Sequence, residues 1–193
     1  AKHPVVSRYC RRELWVVKAQ MLMALDRHAE AVDYLNRAMA LKDENNDPLS
    51  EIFCTATAGI TYMGVDTIST RAESAFRRAC RVAERSGLSN YWLYPQAIGR
   101  LADIYLQQGK YEESISLCRE AIRLCEKSGS YHGKLVVAEI LTEAYRLLGL
   151  YDEAFRYCAV GTGEPARAEV DNNLIGRFFI AKAEIHNNLN RPD

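Results

Sequence analysis

One phrase returns along the chain: "ALDRHAEAVDYLNRAM" at 24–39, "QQGKYEESISLCREAI" at 107–122 and "LLGLYDEAFRYCAVG" at 147–161. Its small residue recurs as Ala31, Ala72, Ser114 and Ala154, at intervals of 41, 42 and 40 residues. The turn residue ahead of it gives a second ruler, Asp26, Gly109, Gly149 and Asn190, spaced 83, 40 and 41. Two rulers that agree define a real period. A unit of that length cannot bury an apolar face alone, whereas a stack of such units can.

Within each period the apolar residues recur at helical spacing. Ile98, Leu101, Ala102 and Tyr105 form one stripe, "QQGK" interrupts it, and Tyr111, Ile115, Cys118, Ile122 and Cys125 form a second. Leu141 and Tyr145, then "LLG", then Tyr151, Phe155 and Cys158 repeat the pattern. Two amphipathic helices joined by a tight turn make an antiparallel pair, and no segment alternates with the period of a strand. The expected fold class is all-α: a solenoid of antiparallel helix pairs, about four and a half repeats, in a single array over 1–193. The expected repeats are 4–46, 47–88, 89–129, 130–163 and a partial 164–193. Period two lacks a clear glycine turn, so an irregular connection is expected there.

The recurring small residues mark close crossings of the two helices, where a larger side chain would push them apart. Ala19 and Ala102 answer them from the facing helix. Ala38, Ala79 and Ala121, seven residues on, fall at the contact with the following pair. Gly161 holds that position in the fourth repeat; "VGTGEP" reads as a helix breaker there, with Pro165 opening the next helix. The next small residue would fall just past Asp193, which predicts that the chain is a fragment of a longer array.

Composition excludes several classes. Lys+Arg and Asp+Glu are 25 each, so no global field draws the chain to nucleic acid or anionic membrane. No apolar run approaches the ~20 residues needed to span a bilayer. The first ten residues, which do not begin with Met, lack the apolar core of a signal peptide. Six cysteines lack CxxC spacing and read as buried thiols, suited to a reducing, cytoplasmic setting. His3, His28, His132 and His186 are scattered, with no metal-ligand spacing; His28 and His186 read as packing substitutions in aromatic slots. No phosphate loop or nucleophile elbow is present. No cofactor, no metal and no catalysis are expected. Arg71, Arg77, Arg78, Arg81 and Arg85 read as a solvated face rather than a phosphate site; Arg8, Arg11 and Arg12 form a second basic cluster. Tyr91, Trp92 and Tyr94 read as packing over the preceding pair, with a contact patch as the alternative.

Trp15, Ala19, Leu22, Ala31, Leu35 and Ala38 match the tetratricopeptide repeat pattern. So do Leu101, Ala102, Tyr105, Gly109, Tyr111 and Ala121, and then Leu141, Tyr145, Gly149, Tyr151 and Ala154. The chain resembles that family over essentially its whole length. Its period exceeds the family's usual 34 residues, as in the long repeats of kinesin light chains and of the sensor portions of bacterial transcription activators. The resemblance implies a right-handed superhelix, Trp15 in the core, and a concave groove lined by the first helix of each pair. The stripe geometry then nominates Gln20, Arg100, Asp103, Gln107, Glu139, Glu143, Arg146, Arg177 and Glu184 as the groove. The same stripes add Glu13, Val16, Met23, Gln96, Val136, Asn187 and Asn188 to its lining. The family's chaperone-binding branch grips a terminal carboxylate with Lys and Asn; Asp103, Glu139 and Glu143 argue against that here. The expected function is non-catalytic binding of a protein or peptide, of basic or polar character, in the groove. The alternative is an effector-sensing regulatory segment of a bacterial transcription regulator or sensor kinase. Neither membrane insertion nor direct nucleic-acid binding is expected, and a homodimer is left open.

Overall fold

The computed structural model describes residues 8–41, 47–65, 70–162 and 172–189. The turn expected at Asn190, the helix start at Pro165, the connection in period two, Cys10 and the side chain of Arg8 lie outside them. The described residues form nine helices and no strand. They are α1 (Arg8–Ala24), α2 (His28–Ala40), α3 (Pro48–Val65), α4 (Thr70–Arg85), α5 (Leu93–Gln107), α6 (Tyr111–Ser128), α7 (Tyr131–Leu147), α8 (Tyr151–Thr162) and α9 (Asn172–Leu189). The chain divides into two compact units, residues 1–97 and 98–193, each described by itself.

The turns repeat in detail. Asp26, Gly109 and Gly149 are left-handed, at φ of 57°, 74° and 71°. Each donates its N–H to the carbonyl three residues back, and the next residue donates to the carbonyl five back: Arg27 to Leu22, Lys110 to Tyr105, Leu150 to Tyr145. This bond pair closes the orphan carbonyls of a helix end and reverses the chain. Aspartate tolerates the left-handed region better than most residues but less well than glycine. Asp26→Gly is therefore expected to raise thermal stability by about 0.5 kcal/mol, read by melting; the His28 ring, 3.8 Å from the exposed Asp26 carboxylate, contributes little.

Packing follows the small residues. Ala31, Ala72, Ser114 and Ala154 are fully buried. The Ser114 hydroxyl donates to the Ala102 carbonyl at 2.7 Å, so the crossing is close enough for a side chain to reach the opposing backbone. In the first unit α1 packs on α2 and α3, and α3 on α2 and α4; in the second, α7 packs on α6, α8 and α9, and α8 on α9. Within each unit first helices thus touch first helices, and α2, α6 and α8 also touch the first helix that follows each of them.

Two expectations need correction on α1. Val16, nominated for the groove, is 0% exposed, while Trp15, assigned to the core, is only half-buried. Arg12 is buried, so the inward stripe runs Arg12, Val16, Ala19. The short second helix expected at Gly161 is found: α8 spans 12 residues, with Gly161 in its last turn. A Cβ there would stand 2.1 Å from the Phe178 ring, so this glycine also lets α9 seat on the backbone of α8.

Cys54, Cys80, Cys118, Cys125 and Cys158 are buried free thiols. Burial pushes the Cys118, Cys125 and Cys158 thiols up, keeping them protonated and unreactive.

Candidate partner-binding face

Seven of the nine nominated residues come together in the second unit, on the first helices α5, α7 and α9. Helical spacing explains why: Arg100 and Asp103 are one turn apart on α5. Glu139, Glu143 and Arg146 run down one side of α7 at intervals of four and three, and Arg177 and Glu184 sit seven apart on α9. Gln107 is at the exposed end of α5, lining neither cleft described below. Gln20 is exposed on α1, in the first unit. Gln96 is half-buried, and Asn187 and Asn188 lie outside both clefts.

The charges are interlocked. Arg177 Nη2 is 2.6 Å from Glu139 Oε1, joining α9 to α7. Arg146 grips Glu143 with two hydrogen bonds of 2.6 and 2.7 Å, and its Nε reaches Glu184 of α9 at 3.4 Å. On α5 the Arg100–Asp103 contact is loose, at 4.0 Å. Four carboxylates face three guanidiniums. Glu139 lines two clefts: one of about 160 Å³ with Arg100, Asp103, His132 and Val136, the other of about 260 Å³ with Glu143, Arg146 and Glu184. The smaller lies below the ~300–1,000 Å³ typical of small-molecule sites and has the size of a side-chain socket.

Glu139 is the carboxylate shared by the two clefts. Its side chain is 15% exposed, and burial raises its pKa; Arg177 pulls the other way, and the Asp103 and Glu143 carboxylates add to the rise. A carboxyl raised in the native state binds its proton more tightly there than in the unfolded chain. Its ionisation therefore costs stability as pH rises from the unfolded glutamate range through the higher folded value. Arg177, its guanidinium partner, is 63% exposed. Glu139→Gln is expected to melt no lower than wild type at neutral pH and to flatten the pH dependence of melting above about pH 4. A variant that melts several degrees lower would make the carboxylate structural.

His132, Ile140, Asn173 and Leu174 also line the smaller cleft and were not nominated. His132 and Asn173 sit in the first turns of α7 and α9, where the repeat pattern is least regular; the neighbouring position of Val136 was the only signal. Elsewhere, His186 packs edge-on against Phe155 at 4.8 Å, as an aromatic substitute does. Arg78 bridges to Glu51 of α3 at 2.7 Å and Arg77 to Glu73 at 2.9 Å. Tyr94 is buried and its hydroxyl donates to Glu84, whereas Trp92 is exposed with its ring edge against Tyr91. Among the described residues no group of His, Cys, Asp and Glu is placed to hold a metal ion, and no helix is long and apolar enough to cross a membrane.

Helix pairs with recurring small-residue crossings, stacked first helix on first helix, define an all-α helical-repeat solenoid. Two family models described as Tetratricopeptide repeat match residues 13–45 and 94–157. The chain belongs to the tetratricopeptide repeat family. Such repeats generally bind protein or peptide partners and are generally non-catalytic scaffolds.

Among solved structures, the chain is similar to a STAND protein (signal transduction ATPase with numerous domains) with a tetratricopeptide repeat sensor, from Pyrococcus horikoshii. The TM-score is 0.72 at 19% identity, over 93% of this chain and 26% of that one. It is similar to putative kinesin light chain repeats of Podosopora anserina, with a TM-score of 0.71 at 17% identity, over 95% of this chain and 93% of that one. The apo form of RapI matches with a TM-score of 0.74 at 14% identity, over 95% of this chain and 52% of that one. The chain thus spans about a quarter of the archaeal protein and about half of RapI. No curated protein matches it.

Proposed function

We propose that the face formed by α5, α7 and α9 binds a basic or polar segment of a partner protein, within one continuous repeat array in a reducing, cytoplasmic setting. The observation that carries this reading is Glu139: a largely buried carboxylate, shared by two clefts and paired with Arg177, whose side chain is 63% exposed. A partner's Lys or Arg takes the place of Arg177 between Asp103 and Glu139. Arg146 meanwhile holds Glu143 and Glu184 in position to receive a second polar group. Stability given up for a charge that a ligand restores is the usual mark of a binding site rather than of a structural ion pair. Titration with a basic, a neutral and an acidic labelled peptide of equal length tests it. Binding is expected for the basic peptide alone and should weaken with salt; equal binding of all three, or preference for the acidic one, contradicts it.

A second reading makes the chain an effector-sensing regulatory segment of a larger signalling protein, such as a bacterial transcription regulator or sensor kinase. Its support is the likeness to the archaeal repeat sensor, a likeness of fold. A DNA-binding, kinase or ATPase segment in the same polypeptide would favour it.

A further inference from the structure

Three residues after each recurring small residue the chain carries Tyr34, Ala75, Leu117 and Tyr157. Three of these are large; Ala75 is not. In the fourth repeat Tyr157 of α8 stacks on Tyr145 of α7, the ring centroids 5.7 Å apart and the planes within 8°. Arg119 of α6 donates to the Tyr145 hydroxyl at 2.7 Å. The first unit has the same arrangement on α2, α3 and α4. Tyr62 of α3 is buried, and its hydroxyl donates to Asn36 of α2 at 2.8 Å. Asn36 lies five residues after Ala31, as Arg119 lies five after Ser114. Tyr62 thus stands for Tyr145, and Ala75 of α4 stands for Tyr157. The stacked ring is missing here, and a cleft of about 340 Å³ lined by Asn36, Tyr62 and Ala75 opens in its place. That volume reaches the range of small-molecule sites.

The missing side chain indicates what fits: a planar ring, laid on Tyr62 as Tyr157 is laid on Tyr145. The rest of the lining adds charge. Of the five α4 arginines, Arg71 and Arg78 line the cleft, with the hydroxyl of Ser74 between them. Positions 71, 74 and 78 are spaced three and four, along one side of the helix. Arg77 does not line it and pairs with Glu73 instead. Glu51 of α3 accepts from Arg78 Nε at 2.7 Å and so fixes that guanidinium. Arg71 is exposed, and its charge reaches Tyr62: burial pushes the Tyr62 hydroxyl up, and Arg71 opposes the rise. Two guanidiniums beside one carboxylate favour an anion, and the planar guanidinium fork matches phosphate oxygens.

We propose that the α2–α3–α4 cleft binds a small aromatic phosphate, its ring stacked on Tyr62 in the space beside Ala75 and its phosphoryl oxygens held by Arg71 and Arg78. This cleft belongs to the first unit and shares no residue with the α5–α7–α9 face, so either proposal can fail alone. Calorimetric titration of the full chain with phenyl phosphate is expected to show binding at least about tenfold tighter than with inorganic phosphate or phenol, each of which offers half of the contacts. Ala75→Tyr, which supplies the ring of the fourth repeat, abolishes binding while the melting temperature is kept or raised. Arg71→Gln, at an exposed site, weakens phenyl phosphate about tenfold and leaves melting unchanged. Should Ala75→Tyr not fold, Arg71→Gln decides alone. A phosphotyrosine peptide should bind no more tightly than phenyl phosphate. Equal affinity for phenyl phosphate and inorganic phosphate overturns the proposal, as does binding indifferent to either variant. So does the absence of any phenyl phosphate binding with Kd below about 1 mM.

Discussion

Phe178→Ala is expected to destabilise the second unit by about 3–5 kcal/mol, the cost of removing a fully buried aromatic side chain. Phe178 is the centre of a cluster with Leu135, Ala138, Cys158 and Leu174, and its ring fills the space that Gly161 leaves open on α8. The Cys158 thiol also donates to the Phe178 carbonyl at 3.2 Å, so ring and backbone are both pinned to α8. Gly161→Leu should reach a similar loss from the opposite side, by forcing the ring out. Gly176, on α9 itself, is a control: a Cβ there meets nothing within 4 Å, so Gly176→Ala should stabilise by about 0.5–1 kcal/mol. Thermal melting ranks the three, and hydrogen exchange should show α9 losing protection first in the destabilised pair. A Gly161→Leu protein as stable as wild type would mean that α9 is not seated on α8 as described.

Glu139→Lys combined with Glu143→Lys is expected to reduce affinity for a basic peptide at least about a hundredfold, since reversing partly desolvated partner charges costs several kcal/mol. The argument rests on where the two carboxylates sit. Glu139 is at the junction of both clefts, and Glu143 is clamped by Arg146, so neither can turn away from an incoming cation. Lysines there would also face Arg177 and Arg146, so stability must be measured beside affinity. The separate variant Glu139→Gln, expected to keep or gain stability, isolates the charge. It should weaken binding without loosening the fold.

The periodic part of this fold was legible because it is local. The turns at Asp26, Gly109 and Gly149 and the crossings at Ala31, Ala72, Ser114 and Ala154 follow from spacing alone, and each small residue is buried where it was placed. What failed was the exception to a general tendency. Arg12 is a buried arginine, which no composition rule foresees, and Val16 is buried beside it where the groove was expected. The shortness of α8 around Gly161 was legible, but the packing partner of that glycine, Phe178, lies on the next helix and nothing near Gly161 in the chain announces it. The site was legible to the same degree. Charges on regular stretches of α5, α7 and α9 converged as helical spacing required, whereas His132 and Asn173, in first turns, did not declare themselves.

The most direct test of the α5–α7–α9 reading is a residue-by-residue amide chemical-shift map of the full chain as a basic peptide is added. Shifts should concentrate at Asp103, Glu139, Glu143 and Arg177 and their neighbours, and should vanish with Glu139→Lys/Glu143→Lys. A map centred on the exposed face of α4 or α6, with those four positions silent, would contradict it.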